Sequence, residues 1–166
     1  LISKFFKGGV GALITYSCLI GLPIFVLIGI FKPAVLSIGW VTAGLLILNG
    51  FVYILYLFPY LKALNKADTS LVVPIFQTVP VFVYILAFFV LGERLSTLQI
   101  LASLLIILGA IGISMRFEKK GAFFRRDVLF LMLLASFIVS LNSIFFKFFA
   151  LELDFWTVSF WQYLGF

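Results

Sequence analysis

The chain has 166 residues, a mean hydropathy of +1.29, 64% hydrophobic residues and only 11% charged ones, which excludes a soluble globular domain with an ordinary charged surface. Its formal charge of +6 invites a nucleic-acid reading, but the basic residues lie between long uncharged runs, where they anchor membrane helices. Nucleic acid is therefore excluded as a partner and the lipid bilayer takes its place. One cysteine, Cys18, and no histidine leave no disulfide framework and no metal site, and no cofactor is expected.

The uncharged runs are Gly8–Phe31 (24 residues), Pro33–Leu61 (29), Thr69–Gly92 (24), Leu95–Met115 (21) and Val128–Phe146 (19). A last one runs from Phe155 to Phe166. Each of the first five is long enough as a helix to cross a hydrocarbon core of about 30 Å at about 1.5 Å per residue. None alternates polar and apolar residues as a membrane β-strand does, so each closes its backbone hydrogen bonds internally as a helix. The expectation is an all-α polytopic membrane protein. A span ends at Leu1–Phe6, and further spans cover Gly9–Phe31, Ser37–Leu61, Leu71–Leu91, Thr97–Met115 and Val128–Phe149, with another opening near Phe155. A chain that starts at Leu1 and stops within an apolar run reads as a fragment.

The span Ser37–Leu61 carries Asn49, Tyr53, Tyr56 and Tyr60 at i, i+4, i+7 and i+11, one helical face. Turned inward, an amide and phenols bind an amphipathic solute by stacking and hydrogen bonding. Turned against another helix, Asn49 is interhelical glue and Tyr60 an interfacial anchor. In Leu71–Leu91, Pro74 and Pro80 flank Gln77 and Thr78. Proline removes a backbone donor and clashes with the carbonyl four residues earlier, so each is expected to open the helix. Such breaks persist in a bilayer where the freed carbonyls face protein or a water-filled cavity. The two readings are a bent helix lining a solute path and a packing kink. The joint Gly92-Glu93-Arg94-Leu95-Ser96 folds Thr97–Met115 back beside Leu71–Leu91 as a helical hairpin, with Glu93 expected to cap the second helix. The small residues of Thr97–Met115, among them Ala102, Ser103, Gly109 and Gly112, suit close packing.

The connection Arg116–Asp127 carries five of the twelve basic residues and divides the chain. Three segments follow: residues 1–115, a basic loop over 116–127, and residues 128–166. A repeat supports the division, because Ser3-Lys4-Phe5-Phe6 is echoed by Phe146-Lys147-Phe148-Phe149 and Tyr16–Gly21 by Phe160–Gly165. An odd number of spans per copy inverts the second copy in the membrane. Alternating the loops puts Lys4, Lys7, Lys62, Lys66, Arg116, Lys119, Lys120, Arg125 and Arg126 on one side and Lys32, Arg94 and Lys147 on the other. The positive-inside rule then makes the loops Lys62–Asp68 and Arg116–Asp127 cytoplasmic. In the span Val128–Phe149, Ser136, Ser140, Ser143 and Lys147 share a face. Small serines admit a neighbouring helix, and an intramembrane lysine marks a solute path unless it snorkels to the interface. No carboxylate lies mid-span, which argues against a buried-glutamate proton exchanger. No nucleophile–base pair or phosphate loop suggests an enzyme.

Two stretches carry a resemblance. Pro74-Ile75-Phe76-Gln77-Thr78-Val79-Pro80-Val81-Phe82, followed by Leu91-Gly92-Glu93-Arg94-Leu95, Gln99 and Gly109-Ala110-Ile111-Gly112, resembles the fourth and fifth spans of the EamA-like family of the drug/metabolite transporter superfamily. Ser140-Leu141-Asn142-Ser143-Ile144-Phe145-Phe146-Lys147 is similar to that family's repeat-opening span, in which an asparagine precedes a lysine by five positions. Val139 stands where the family has a tryptophan. The resemblance implies a ten-span transporter of two inverted five-helix repeats working by alternating access. Residues 1–115 would form the first repeat and 128–166 the start of the second. It further implies a multi-pass protein of the cytoplasmic membrane that moves a small-molecule solute (a metabolite, amino acid or drug), commonly outward. The solute-path candidates are Asn49, Tyr53, Tyr56, Gln77, Thr78, Asn142 and Lys147, with helix breaks at Pro74 and Pro80 and a turn motif at Gly92-Glu93. The residues name no coupling ion. The rival from another class is a non-transporting membrane scaffold or accessory subunit. A polar pocket among the third, fourth and sixth spans favours the carrier, and a solid core favours the scaffold.

Overall fold

The computed structural model describes residues 9–94, 96–114, 117–118, 121–122 and 126–166. The span end expected at Leu1–Phe6, the Ser3–Phe6 half of the echo, and Lys4, Lys7, Arg116, Lys119, Lys120 and Arg125 lie outside these residues. Helix α1 covers Gly9–Phe31, followed by a 3-10 turn at Pro33–Leu36. Then come α2 (Trp40–Leu55), α3 (Leu57–Lys66), α4 (Thr69–Phe76), α5 (Val79–Leu91) and α6 (Thr97–Ser114). Helix α7 covers Arg126–Ala150 and α8 Phe155–Leu164. Inside the expected basic loop, strands β1 (Phe117–Glu118) and β2 (Gly121–Ala122) pair antiparallel over two residues each. The protein is an all-α polytopic membrane protein. Among the described residues, Trp40–Lys66, Leu71–Leu91 and Arg126–Ala150 are long and apolar enough to cross a bilayer, and Cys18–Phe31 and Thr97–Gly109 are shorter apolar stretches.

Prolines set the helix breaks. Sequence expectation gave one continuous span at Ser37–Leu61, yet the helix starts at Trp40, turns at Tyr56 and runs on to Lys66. Pro59 explains the turn, because it has no N–H to offer the Leu55 carbonyl four residues back. Since α3 includes Lys62 and Lys66, the loop expected at Lys62–Asp68 is the last turn of a helix plus Ala67 and Asp68. In the next span only one of the two expected openings appears. Helix α4 ends at Phe76 and α5 begins at Val79, with Gln77 and Thr78 between them. Pro80 cannot serve the Phe76 carbonyl, so the break falls there. Pro74 lies within α4, as Pro23 does within α1, and neither helix is interrupted there.

The chain divides into two compact units. One comprises residues up to Ile54 together with Phe145–Phe166, and the other Leu55–Ile144. In the second unit, Ala63, Val72, Ile75, Val128 and Met132 form a buried core bordered by Tyr60, Leu64 and Phe76. Helices α4 and α5 both pack on α6, so the hairpin expected across Gly92–Ser96 is present. Gly92 closes α5 in the left-handed conformation at φ 66°, where a side chain is strained. At the start of α6, three residues beyond Glu93, Ser96 and Gln99 cap the helix. The Ser96 N–H donates to Gln99 Oε1 at 2.8 Å and the Gln99 N–H to Ser96 Oγ at 3.3 Å, a reciprocal capping box. At the ends of α3 and α7, Lys66 Nζ meets Asp127 Oδ2 at 2.9 Å.

The carbonyl that Pro80 frees is answered from α7. Ser136 Oγ donates to the Phe76 carbonyl at 3.4 Å. One turn on, Ser140 Oγ lies 3.0 Å from the Val79 carbonyl and 2.7 Å from that of Ser136. Thr78 Oγ1 donates to the Ile75 carbonyl at 2.8 Å and completes the capping of the break. Among the described residues no buried side-chain nitrogen or oxygen lacks a partner. Large apolar side chains point outward instead, among them Trp40 (89% exposed), Phe31 (80%) and Phe89 (76%), a surface suited to lipid and costly in water.

A double-mutant cycle tests this origin of the break. Ser136→Ala should cost about 0.6 kcal/mol of unfolding stability in lipid bicelles, the usual size of an interhelical hydrogen bond in a membrane. In a Pro80→Ala background the cost should fall towards zero, because residue 80 then supplies an N–H to the Phe76 carbonyl.

Candidate functional site

The site candidates divide between the two units. Asn49, Tyr53 and Lys147 belong to the unit containing the chain end, and Tyr56, Gln77, Thr78 and Asn142 to the other. The boundary between the units thus falls within the aromatic stripe, between Tyr53 and Tyr56. Tyr56 and Tyr60 pack on Phe76, with ring centroids 5.8 and 5.1 Å from it, so both phenols brace the residue whose carbonyl Pro80 leaves open. Gln77 is exposed at the break, while Thr78 and Asn142 are buried. Asn49 is buried one turn before Tyr53. Lys147 is exposed three residues before the end of α7, the position from which a lysine snorkels.

In the first unit, α8 is locked in place by polar contacts along its length. At its start, Asp154 accepts the Trp156 N–H at 3.2 Å and lies 3.7 Å from Lys32 Nζ. That lysine also sits 5.6 Å from the centre of the Trp156 ring. Both members of the ion pair are half exposed, so it positions more than it stabilises, contributing about 0–1 kcal/mol. Trp161 Nε1–H donates to the Val35 carbonyl at 2.8 Å, tying α8 to the 3-10 turn. Tyr163 Oη–H donates to the Cys18 carbonyl at 2.7 Å.

Glycines bring the backbones together. A β-carbon on Gly50 would fall on the Gln162 carbonyl oxygen, and one on Gly165 on the Ile47 carbonyl oxygen, so α2 and the end of α8 touch main chain to main chain. A β-carbon on Gly21 would fall on the Tyr163 hydroxyl, which is why that ring can lie against α1. Tyr163 then stacks on Phe25 with centroids 4.0 Å apart and planes at 13°. Its other neighbour is Phe166, at 6.1 Å, which in turn lies 5.5 Å from Tyr53.

These aromatic rings wall a partly open cleft of about 290 Å³. Phe25 from α1, Tyr53 from α2, Phe146 from α7, and Tyr163 and Phe166 at the chain end form the apolar surface, and Ser159 and Gln162 of α8 bring polar groups to it. Of the sequence candidates, Tyr53 alone lines it. The expected pocket among the third, fourth and sixth spans differs from the cleft, whose walls come from α1, α2, α7 and α8. At the break beside Gln77, the Phe76 carbonyl accepts from Ser136 Oγ. Ser159, Gln162 and Tyr163 are absent from the sequence candidates. The available signals were the echo of Tyr16–Gly21 in Phe160–Gly165 and the presence of Gln162 as the one amide of α8.

The cleft depends on the close crossing, which can be probed with single methyl groups. Gly50→Ala and Gly165→Ala should each destabilise the protein by about 1–3 kcal/mol, the usual cost of overpacking. A β-carbon at Gly44 of the same helix α2 meets nothing within 4 Å. Gly44→Ala should therefore be neutral or stabilising, by roughly 0.5–1 kcal/mol. Thermal unfolding in detergent, followed by circular dichroism, distinguishes the two signs.

In a comparison with known protein families, residues 2–115 fit the EamA-like transporter family. No curated protein and no solved structure matches the chain. The fit takes in α1 to α6 and ends one residue beyond Ser114, the last of α6. It covers most of the sequence, and two of the three membrane-length apolar helices, Trp40–Lys66 and the proline-broken Leu71–Leu91, fall inside it together with the Gly92 turn. The chain belongs to the EamA-like transporter family, a branch of the drug/metabolite transporter superfamily whose members are membrane transporters.

Proposed function

We propose that the protein is a secondary carrier that moves a small metabolite, amino acid or drug-like solute across the cytoplasmic membrane by alternating access, in the export direction. The observation that carries this reading is the aromatic cleft with Ser159 and Gln162 at its wall, lying in a chain whose family members are transporters. A packed scaffold has no need of a cavity among its spans. A solute of modest size can shed water there against aromatic faces while hydroxyl and amide groups replace some of its hydrogen bonds.

Residues 1–115 form the first five-helix repeat in this reading and 128–166 begin an inverted second one. The family match over 2–115 and the echo of Tyr16–Gly21 in Phe160–Gly165 support that division. The proposed solute path includes Asn49, Tyr53 and Lys147 in one unit and Tyr56, Gln77, Thr78 and Asn142 in the other, with Tyr53 supported by the cleft and Gln77 by the break beside it. The end of α3 at Lys62–Lys66 and the connection Arg116–Asp127 face the cytoplasm, on the strength of the asymmetry in basic charge.

Proteoliposomes of the full-length protein, loaded with a mixed pool of small amino acids, amides and amines, test this by mass spectrometry of the released solutes. Efflux above that of empty liposomes is expected. Tyr53→Ala, Gln77→Leu and Lys147→Leu should each lower it at least five-fold at equal incorporation. Unchanged efflux in all three contradicts the assigned path, and no efflux of any solute contradicts the carrier.

A further inference from the structure

We infer that the cleft selects an uncharged, single-ring aromatic solute and discriminates against carboxylates. The inference rests on the carrier reading and names the solute class of the same site. Three observations lead to it. First, the wall is aromatic on several sides, with Phe25 and Tyr163 already stacked at 4.0 Å, and Tyr53 and Phe166 5.5 Å apart. A planar ring entering the cleft therefore meets ring faces and edges, and two such contacts favour an aromatic over a saturated ring on the order of ten-fold.

Second, none of the lining residues carries a charge of either sign. Lys147 follows the lining residue Phe146 but is itself exposed and does not line the cleft. A carboxylate held against this wall would meet no counter-charge while losing part of its hydration. The polar groups of the wall, Ser159 and Gln162, are neutral hydroxyl and amide, each both donor and acceptor. They match a neutral polar substituent such as an amide, a hydroxyl or an amine without a proton. Third, a volume of about 290 Å³ lies just below the range of about 300–1,000 Å³ usual for small-molecule sites, which fits a single ring with a short substituent better than a drug-sized molecule.

Benzamide, benzoate and cyclohexanecarboxamide differ by one property at a time: benzoate adds the charge, and cyclohexanecarboxamide removes the aromatic ring. Saturation-transfer NMR titrations of each against the full-length protein in nanodiscs, with empty nanodiscs subtracted, rank the three. Benzamide should bind saturably, with benzoate and cyclohexanecarboxamide each at least ten-fold weaker. Gln162→Leu should weaken benzamide at least five-fold, and Ser159→Phe, which fills the cleft from the same helix, should abolish its binding. The ranking on the unaltered protein stands even if either variant fails to fold. Benzoate or cyclohexanecarboxamide binding as tightly as benzamide overturns the solute class, as does the absence of saturable benzamide binding. Efflux of other solutes from proteoliposomes alongside such a result leaves the carrier standing, so the two claims fail separately.

Discussion

The structure depends on one constraint: a backbone carbonyl within the hydrocarbon layer must find a donor, because no water is there to supply it. Pro80 takes the donor away from Phe76, and the helix breaks between Phe76 and Val79. Ser136 of α7 answers that carbonyl, and Ser140 Oγ lies between the Val79 and Ser136 carbonyls at 3.0 and 2.7 Å. The break thereby fixes the contact between α7 and the α4–α5 pair, and the same contact lies over the buried cluster of Val72, Ile75, Val128 and Met132. Tyr56 and Tyr60 enclose the Phe76 ring from α3, whose own start is set by Pro59. Two prolines, separated by more than twenty residues, thus shape one region by the same means.

In the other unit the organising element is the absence of side chains. Gly21, Gly50 and Gly165 let α8 approach α1 and α2 until a hydroxyl or a main-chain carbonyl occupies the space of a β-carbon. Without a hydrophobic driving force between helices in lipid, such proximity is what gains dispersion energy and holds them together. The close approach does not fill the unit. It holds the rings of Phe25, Tyr53, Tyr163 and Phe166 around a cleft, so that packing at the glycines and vacancy at the aromatics are two results of one crossing.

Much of the architecture is legible in the sequence, because a bilayer admits few solutions. The uncharged run before Lys32 became α1 with the expected bounds, Gly9–Phe31, and the joint at Gly92 became a hairpin turn through a positive φ that glycine tolerates. The local chemistry of ends and breaks was harder to read. Pro59 and Pro80 stand at breaks, while Pro23 and Pro74 lie within unbroken helices, a difference that the proline itself does not announce. Glu93 reads as a cap by charge, but Ser96 and Gln99 have the spacing that satisfies two N–H groups at once. Periodicity places the tyrosine stripe on one face of Trp40–Lys66 but does not show that the two compact units meet within it, between Tyr53 and Tyr56. The cleft was the least legible feature. It joins residues from α1 and from α8, more than a hundred positions apart, and no local pattern marks Ser159 or Gln162 as facing Phe25.

The account centres on a cleft that solutes enter from water. In a background with Cys18 and any cysteine outside these residues replaced by serine, Ser159→Cys places a single thiol at the wall of that cleft. Labelling of the full-length protein in oriented membrane vesicles by a charged, membrane-impermeant methanethiosulfonate reagent measures access to it. The account predicts reaction from one face of the membrane within minutes, slowed by benzamide. A thiol that stays unreactive from both faces while the unfolded protein labels fully would contradict it.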